Sequence, residues 1–323
     1  MSSTGIHDRF VLIRAPAKLN LFLEVRDKRP DGYHEIETVM VAVSLFDSLR
    51  FQTTTDSRLD VRCIHSQALN SGGYSIPAGR ENIAWRALDR LRQTGGQATE
   101  RLGGTLDILK RVPDQAGLGG GSSDAAAALR AALFIWPMPT DNAGLSQVAA
   151  DVGSDVPFFM EQGISLCRGR GESITLLRRN PELWFVVVKP PIGLSTKTVY
   201  EQLTLPKSPL STTDICSAIE HGAPREIGRW MRNRLQGTAE LLAPEIRRAA
   251  TEFARLDCCG HQMSGSGTAY FGLFANRTAA KRAEPILRSR LSGWFVATCH
   301  SLARQSASLD PRSTVQEARC DHN

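Results

Sequence analysis

Within the 323-residue chain, the stretch with the most chemistry in it is Pro113, Asp114, Gln115, Ala116, Gly117, Leu118, Gly119, Gly120, Gly121, Ser122, Ser123 and Asp124. Glycines without Cβ atoms let successive backbone N–H groups turn toward one anion, and a helix start adds unpaired N–H groups and the positive end of its dipole. The run therefore predicts a phosphate cradle. It is not a Walker A loop, because no Lys precedes Ser122 or Ser123, and it misses the Rossmann fingerprint because residue 122 is Ser rather than Gly. A glycine linker has a similar composition, but linkers seldom lie between a strand and an apolar helix.

Two further segments carry reactive side chains. In Ala15-Pro16-Ala17-Lys18-Leu19-Asn20 and the residues after it, Leu19, Leu21, Leu23 and Val25 share one face, leaving Lys18, Asn20, Phe22 and Glu24 on the other. Alternation of this kind is a strand. A lone Lys at a strand start is usually edge protection. In Gly153-Ser154-Asp155-Val156-Pro157-Phe158-Phe159 an Asp stands in an apolar loop, where it serves equally well as a cap. Taken together, the three segments hold the parts of phosphoryl transfer: a phosphate cradle, a cation, and a carboxylate able to take a hydroxyl proton.

The elements that must position these residues follow from periodicity. Strands are predicted at residues 18–25, Val39 to Val43 and Phe51 to Thr55, with turn chemistry at Arg29-Pro30-Asp31-Gly32. Glu81-Asn82 caps a helix carrying Ile83, Ala84, Ala87, Leu88 and Leu91, and Thr105 to Val112 returns to strand. The alanine-rich Ser123 to Phe134 is a deeply buried helix, and a second helix, Leu145 to Val152, stops at Gly153 because Pro157 disfavours its continuation through Ser154 and Asp155. Short strands restart at Ile164 to Cys167, Ile174 to Leu177 and Phe185 to Val188. Helices follow at Thr213 to Glu220, Pro244 to Ala254 and Thr278 to Leu291, with strands Ala269 to Phe274 and Phe295 to Cys299. This interleaving describes an α+β protein of two domains, 1–165 and 166–303, with 304–323 as a loose tail.

Composition narrows the function. A 41% apolar content excludes disorder throughout. The longest apolar stretches, Trp184 to Val188 and Ala131 to Trp136, fall far short of the ~20 residues that span a bilayer. Phe10 to Ile13 is too short for a signal-peptide core and is followed by Arg14, so a cytoplasmic location is expected. The seven cysteines are odd in number and never spaced C-x-x-C, which favours neither disulfides nor zinc. A net charge of +6 admits nucleic acid, acidic membranes or phosphorylated ligands as partners. Arg168, Arg170 and the basic run from Arg225 to Arg234 are expected to be solvated faces, and His221, His261 and His300 lack metal-ligand spacing.

From about Arg14 to about Ser301 the chain resembles the GHMP kinases, which include galactokinase and the homoserine, mevalonate and phosphomevalonate kinases. The motifs are APAKLNLFLEV (15–25), PDGYHEIET (30–38), GLGGGSSDAAAAL (117–129), GSDVPFF (153–159) and SGSGTAYF (264–271). The phosphate loop points to the superfamily. The pairing of AKLNLFL with DGYH and GSDVPFF resembles the branch acting on a cytidine-diphosphate-linked methylerythritol. Asp114-Gln115-Ala116 departs from relatives that are richer in glycine there.

The resemblance implies an N-terminal domain like ribosomal protein S5 domain 2, a ferredoxin-like C-terminal domain and an active site in the cleft between them. It implies transfer of the γ-phosphate of ATP, with Mg²⁺, to the acceptor's 2-hydroxyl in the non-mevalonate isoprenoid route. By motif position Asp155 is the general base, Lys18 the cation beside it, and Asn20 the residue holding the polyol. Tyr33 and His34 recognise cytosine, with Tyr200 as the second face of a sandwich. Pro113 through Ser123 with Gly265, Ser266 and Gly267 enclose ATP, and Ser123 helps to hold Mg²⁺. The expected partners are small molecules, without nucleic acid or membrane. An RNA-binding S5-like protein ranks far lower, because the tyrosines and the basic clusters do not coincide. A mevalonate- or homoserine-type kinase is disfavoured by the aromatic in DGYH.

Overall fold

The computed structural model describes residues 9–66, 79–138, 142–161, 163–303 and 316–319. Its spine is a pair of long antiparallel strands, β1 (Arg9–Lys28) and β2 (His34–Thr54). The two strands expected within the second segment are one. The ladder with β1 shifts register at Ser44 and Leu45 and then resumes, pairing Phe46 with Pro16 and Asp47 with Ala15, so one strand continues through the bulge. β3 (Leu59–His65), α1 (Ile83–Thr94) and β4 (Gly103–Lys110) follow, with β4 antiparallel to β2 and parallel to β3. Asn82 caps α1 as expected, its side chain accepting from the Ala84 N–H at 2.8 Å.

α2 (Gly120–Ile135) begins three residues before the expected start, so Gly120 to Ser123 form its first turn rather than a loop. Small side chains let this helix lie close to the sheet: Ala125 to Ala128, Leu129, Ala131 and Ala132 are all buried. α3 (Asn142–Val152) stops where expected, and α4 (Val156–Glu161) starts immediately after Asp155. β5 (Ile164–Gly169) then pairs with β2 and with β6 (Ser173–Leu176), which carries the first sheet past the boundary expected at 165. The crossover to the second sheet comes after Leu176.

The second sheet is built from β7 (Trp184–Lys189), followed by α5 (Thr196–Glu201), α6 (Thr213–His221), α7 (Pro224–Trp230), β8 (Arg232–Asn233), α8 (Gln236–Leu242) and α9 (Pro244–Ala254). β9 (Gly260–Met263), β10 (Tyr270–Phe274), α10 (Arg277–Arg290) and β11 (Phe295–His300) complete it. Its order, β11-β7-β10-β9, is the split βαβ of the ferredoxin-like arrangement. β8 leaves this sheet to pair with β1 at Phe22 and Leu23. Within the tail expected to be loose, β12 (Gln316–Arg319) pairs antiparallel with Arg9–Leu12, since β1 still offers a free ladder there. The remainder of that tail lies outside the described residues.

Both faces of each sheet are covered. One side of the first sheet packs on α1 to α4 through Ile13, Met40, Leu49 and Phe51. Its other side meets the second sheet, where Ala17, Leu19 and Val41 join Phe185, Val187 and Phe271. Val186, Val188 and Tyr270 point the opposite way, toward α8, α9 and α10. Lys18 is buried in this packing, which rules out solvated edge protection as its reason.

Candidate active site

A cleft of about 1050 Å³ opens where β1, the start of α2, the Ser154–Asp155 break, α5 and the Gly265–Ser266 turn come together. It is lined by every residue singled out from sequence except Ser123 and Gly267, which stand behind the wall.

At one end is the glycine loop. The Ser264 hydroxyl donates to the Gly117 carbonyl at 3.0 Å, and the N–H groups of Thr268 and Ala269 donate to the carbonyls of Gln115 and Ala116 at 3.3 and 3.0 Å. Gly117 has φ +70°, and a Cβ there would lie 2.0 Å from the Ser264 carbonyl oxygen. Only glycine fits so close an approach. The Lys18 N–H donates to the Leu118 carbonyl at 2.9 Å, fixing the loop to β1. Gly119, also at positive φ, delivers the chain into α2 with its first-turn N–H groups facing the cleft end. The Asp114-Gln115-Ala116 departure is accommodated with Gln115 at φ +48° and Asp114 Oδ1 3.9 Å from Lys110 Nζ. Burial pushes the Asp114 carboxyl up, against the charge of Lys110.

Behind this loop lies a cluster that sequence reasoning missed. Lys110 Nζ donates to Asp47 Oδ2 at 2.5 Å and to Asp124 Oδ2 at 2.7 Å, and Asp47 Oδ1 accepts the N–H groups of Arg111 and Val112 at 2.5 and 2.8 Å. Burial opposes the lysine's charge, but Asp124 and Asp47 outweigh it and hold the ammonium above the ordinary lysine range. Burial in turn pushes Asp124 up against Lys110. These ion pairs tie β4, β2 and the first turn of α2 together. A Lys at a strand end reads as solvated, so nothing in the local pattern signals it.

In the middle of the cleft, Lys18 Nζ stands 3.7 Å from Asp155 Oδ2 and donates to Asn20 Oδ1 at 2.5 Å. Asn20 Nδ2 donates to Thr38 Oγ1 at 2.8 Å, and Thr38 Oγ1 donates to the Phe22 carbonyl at 2.5 Å. This chain fixes the amide orientation, and Thr38 was not anticipated. Lys18 is 5% exposed as a side chain whereas Asp155 is 31% exposed, so the carboxylate is the member of the pair that a ligand can reach. The strand period puts Lys18 and Asn20 on one face, and the break between α3 and α4 brings Asp155 to them.

At the far end are Tyr33, exposed in the β1–β2 turn, His34 at the start of β2, and Tyr200 on α5. Tyr200 packs against His34 with ring centroids 4.9 Å apart. Burial and the charge of Lys28 lower the His34 imidazole below its ordinary value, so it is neutral at pH 7. Burial, reinforced by the charge of Asp155, raises the Tyr200 phenol, which keeps its proton. Arg170 lies 4.9 Å from the centroid of the Tyr33 ring.

The arginines expected to be solvated are not all so. Arg168 is exposed as expected while pairing with the buried Glu37, whereas Arg234 is only partly exposed and holds buried Glu24 with two contacts of 2.6 and 2.7 Å. In both cases a carboxylate on β1 or β2 that faces the other domain supplies the partner. His261 meets the Tyr270 hydroxyl at 2.8 Å, a structural role as expected.

Residues 82–163 match the GHMP kinases N terminal domain and residues 216–293 the GHMP kinases C terminal domain. The chain is 38% identical to a 4-diphosphocytidyl-2-C-methyl-D-erythritol kinase of Pelotomaculum thermopropionicum, over 83% of this chain and 90% of that one.

The chain belongs to the GHMP kinases.

A second 4-diphosphocytidyl-2-C-methyl-D-erythritol kinase, from Geotalea daltonii, is 33% identical over 90% of this chain and 98% of its own. Among solved structures, one of 4-(cytidine 5'-diphospho)-2C-methyl-D-erythritol kinase superposes with a TM-score of 0.72 at 33% identity, covering 90% of this chain and all of that one. A homoserine kinase from Cytophaga hutchinsonii also gives 0.72, at 16% identity, and shares the fold. As a GHMP kinase the chain is an ATP-dependent phosphotransferase of two domains, as its sequence motifs imply. Among the described residues no helix is long and apolar enough to cross a membrane.

Proposed function

We propose that this GHMP kinase transfers the γ-phosphate of ATP to the 2-hydroxyl of 4-diphosphocytidyl-2-C-methyl-D-erythritol, in the cytoplasm, as a step of non-mevalonate isoprenoid synthesis. The observation that carries the reading is the Lys18–Asp155 pair at 3.7 Å, standing between a glycine loop and a trio of rings. Phosphoryl transfer needs positioning and charge stabilisation more than covalent help. The loop from Pro113 to Ser123 and the Gly265 to Gly267 turn hold the triphosphate through backbone N–H groups. Asp155 takes the proton of the acceptor hydroxyl as that oxygen attacks phosphorus, and Lys18, beside the carboxylate, meets the charge that builds on the transferring group. Asn20, held by Lys18 and Thr38, orients the polyol. Tyr33 supplies a stacking face for cytosine, and the neutral His34, braced by Tyr200, bonds the edge of the base.

Ser123 Oγ and Asp124 Oδ1 are buried without a hydrogen-bond partner at the start of α2, beneath the phosphate loop. A single hydroxyl ligand suits Mg²⁺, which takes most of its oxygens from nucleotide phosphates and water. When bound, the ion neutralises phosphate charge; Ser123, buried behind the cleft wall, does not present its hydroxyl to the cleft here and so does not fit the role expected of it.

ATP consumption by the purified chain with the diphosphocytidyl acceptor, mevalonate and homoserine tests the reading. Turnover confined to the first acceptor is expected. Equal or greater turnover of mevalonate or homoserine would overturn it.

A further inference from the structure

We infer that Arg170 is the residue that reads the diphosphate of the acceptor, an inference that rests on the acceptor assignment above. The turn between β5 and β6 places this arginine between the two ends of the acceptor site. On one side its guanidinium carbon lies 4.9 Å from the centroid of the Tyr33 ring. On the other, a Cβ added at the adjacent Gly171 would lie 3.7 Å from Asp155 Oδ1. A molecule whose base meets Tyr33 and whose hydroxyl meets Asp155 must pass its central portion beside residue 170. In a nucleoside-diphosphate-linked alcohol, that central portion is the diphosphate.

The anchoring of Arg170 suits this task. Its N–H donates to Glu172 Oε2 at 2.6 Å, which pins the backbone of the turn, while its side chain, besides resting on Tyr33, makes a long ion pair of 3.8 Å with the same carboxylate. The side chain is 29% exposed and lines the cleft. The other cations at this end are less suited. Lys197 is 84% exposed and pairs with Glu201 at 3.8 Å, and Lys28 lies beside His34 at the base end. A guanidinium fork matches phosphate oxygens in a way that a flexible ammonium does not. In the free chain the fork rests on the Tyr33 ring. On binding it turns to the diphosphate and leaves that ring to the base.

Calorimetric titration of CDP and of cytidine, with the donor site saturated by an unreactive ATP analogue, tests the assignment. The wild-type chain should bind CDP ~10- to 100-fold more tightly than cytidine, the scale of hydrogen bonds to a charged group. Arg170→Ala should bring the two ligands to nearly equal affinity and leave cytidine and the ATP analogue as they were. Arg170→Lys should restore part of the preference through charge alone. A preference for CDP that survives in Arg170→Ala overturns the inference and leaves the acceptor reading intact, as would a wild-type chain binding the two ligands equally. A parallel loss of ATP-analogue affinity in the Ala variant would make Arg170 a support of the fold, which also overturns it. A wild-type chain that binds neither cytidine nor CDP fails the acceptor reading itself, and the inference with it.

Discussion

The two ends of the cleft are built from different materials. The donor end is backbone: one run of a dozen residues, stitched to the 264–269 turn by main-chain contacts and tied from behind by Lys110, Asp47 and Asp124. The acceptor end is side chain: Tyr33, His34, Arg170 and Tyr200 arrive from three separate parts of the chain and meet through ring contacts near 4.9 Å. The difference follows from the ligands. A triphosphate is the same in every ATP enzyme and needs N–H groups at close range, whereas an acceptor must be told apart from others, and only side chains differ enough to do so. A backbone cradle should therefore fail by distortion, and the acceptor end residue by residue.

The sharpest way to probe this division is at the junction, where neither end should be affected. Asp155→Asn keeps the shape but cannot accept the hydroxyl proton, and is expected to lower kcat ~10²- to 10⁴-fold. Both ligands should still bind. Steady-state kinetics with titration of an unreactive ATP analogue checks this, and turnover within threefold of wild type would remove Asp155 as the base.

At the donor end, Gly117→Ala sets a methyl group against the Ser264 carbonyl and forces a left-handed φ on alanine. Thermal unfolding should show a loss of ~1 to 3 kcal/mol, the usual scale of overpacking. The KM for ATP should rise while cytidine affinity holds. A loss confined to cytidine would break the comparison.

Tyr33→Ala should weaken the cytidylyl acceptor by ~1 to 3 kcal/mol, the scale of base–aromatic stacking. Tyr33→Phe should cost little, and ATP affinity should follow neither change. Calorimetry of both variants with both ligands reads this directly; equal losses for the two ligands would mean that Tyr33 supports the fold.

The smallest expected effect concerns pH. Burial and the charge of Lys28 hold the His34 imidazole below its ordinary value, so it is neutral at pH 7 and takes a proton only in the acidic range below that value. Protonation then removes the acceptor atom of the ring and adds a charge beside Lys28. The KM for the cytidylyl acceptor should rise on acidification through that range, while the KM for ATP rises less. A His34→Gln variant should flatten the difference, and a profile unchanged in that variant would assign the pH dependence to another group.

What the sequence determined by itself was whatever is local. The glycine spacing from 117 to 121 specifies a cradle because backbone geometry depends on neighbours in the chain. Period two placed Lys18 and Asn20 on one face, and the α3 stop at Gly153 followed from Pro157. The fold class and family were legible for the same reason, since the motifs are contiguous. Only the tertiary structure decided what depends on partners far along the chain. β2 is one strand because β1 pairs with it on both sides of a register shift at Ser44 and Leu45, and β5 and β6 belong to the first sheet because β2 offers a ladder. Lys110 is a buried tie because two carboxylates from other elements offset the cost of removing its charge from water. Tyr200 packs on His34, and Arg170 lies over Tyr33, because turns set by glycines at 169 and 171 and a short helix at 196–201 aim them there. Charge in a sequence reads as exposure to solvent, and only a fold can show that the solvent has been replaced.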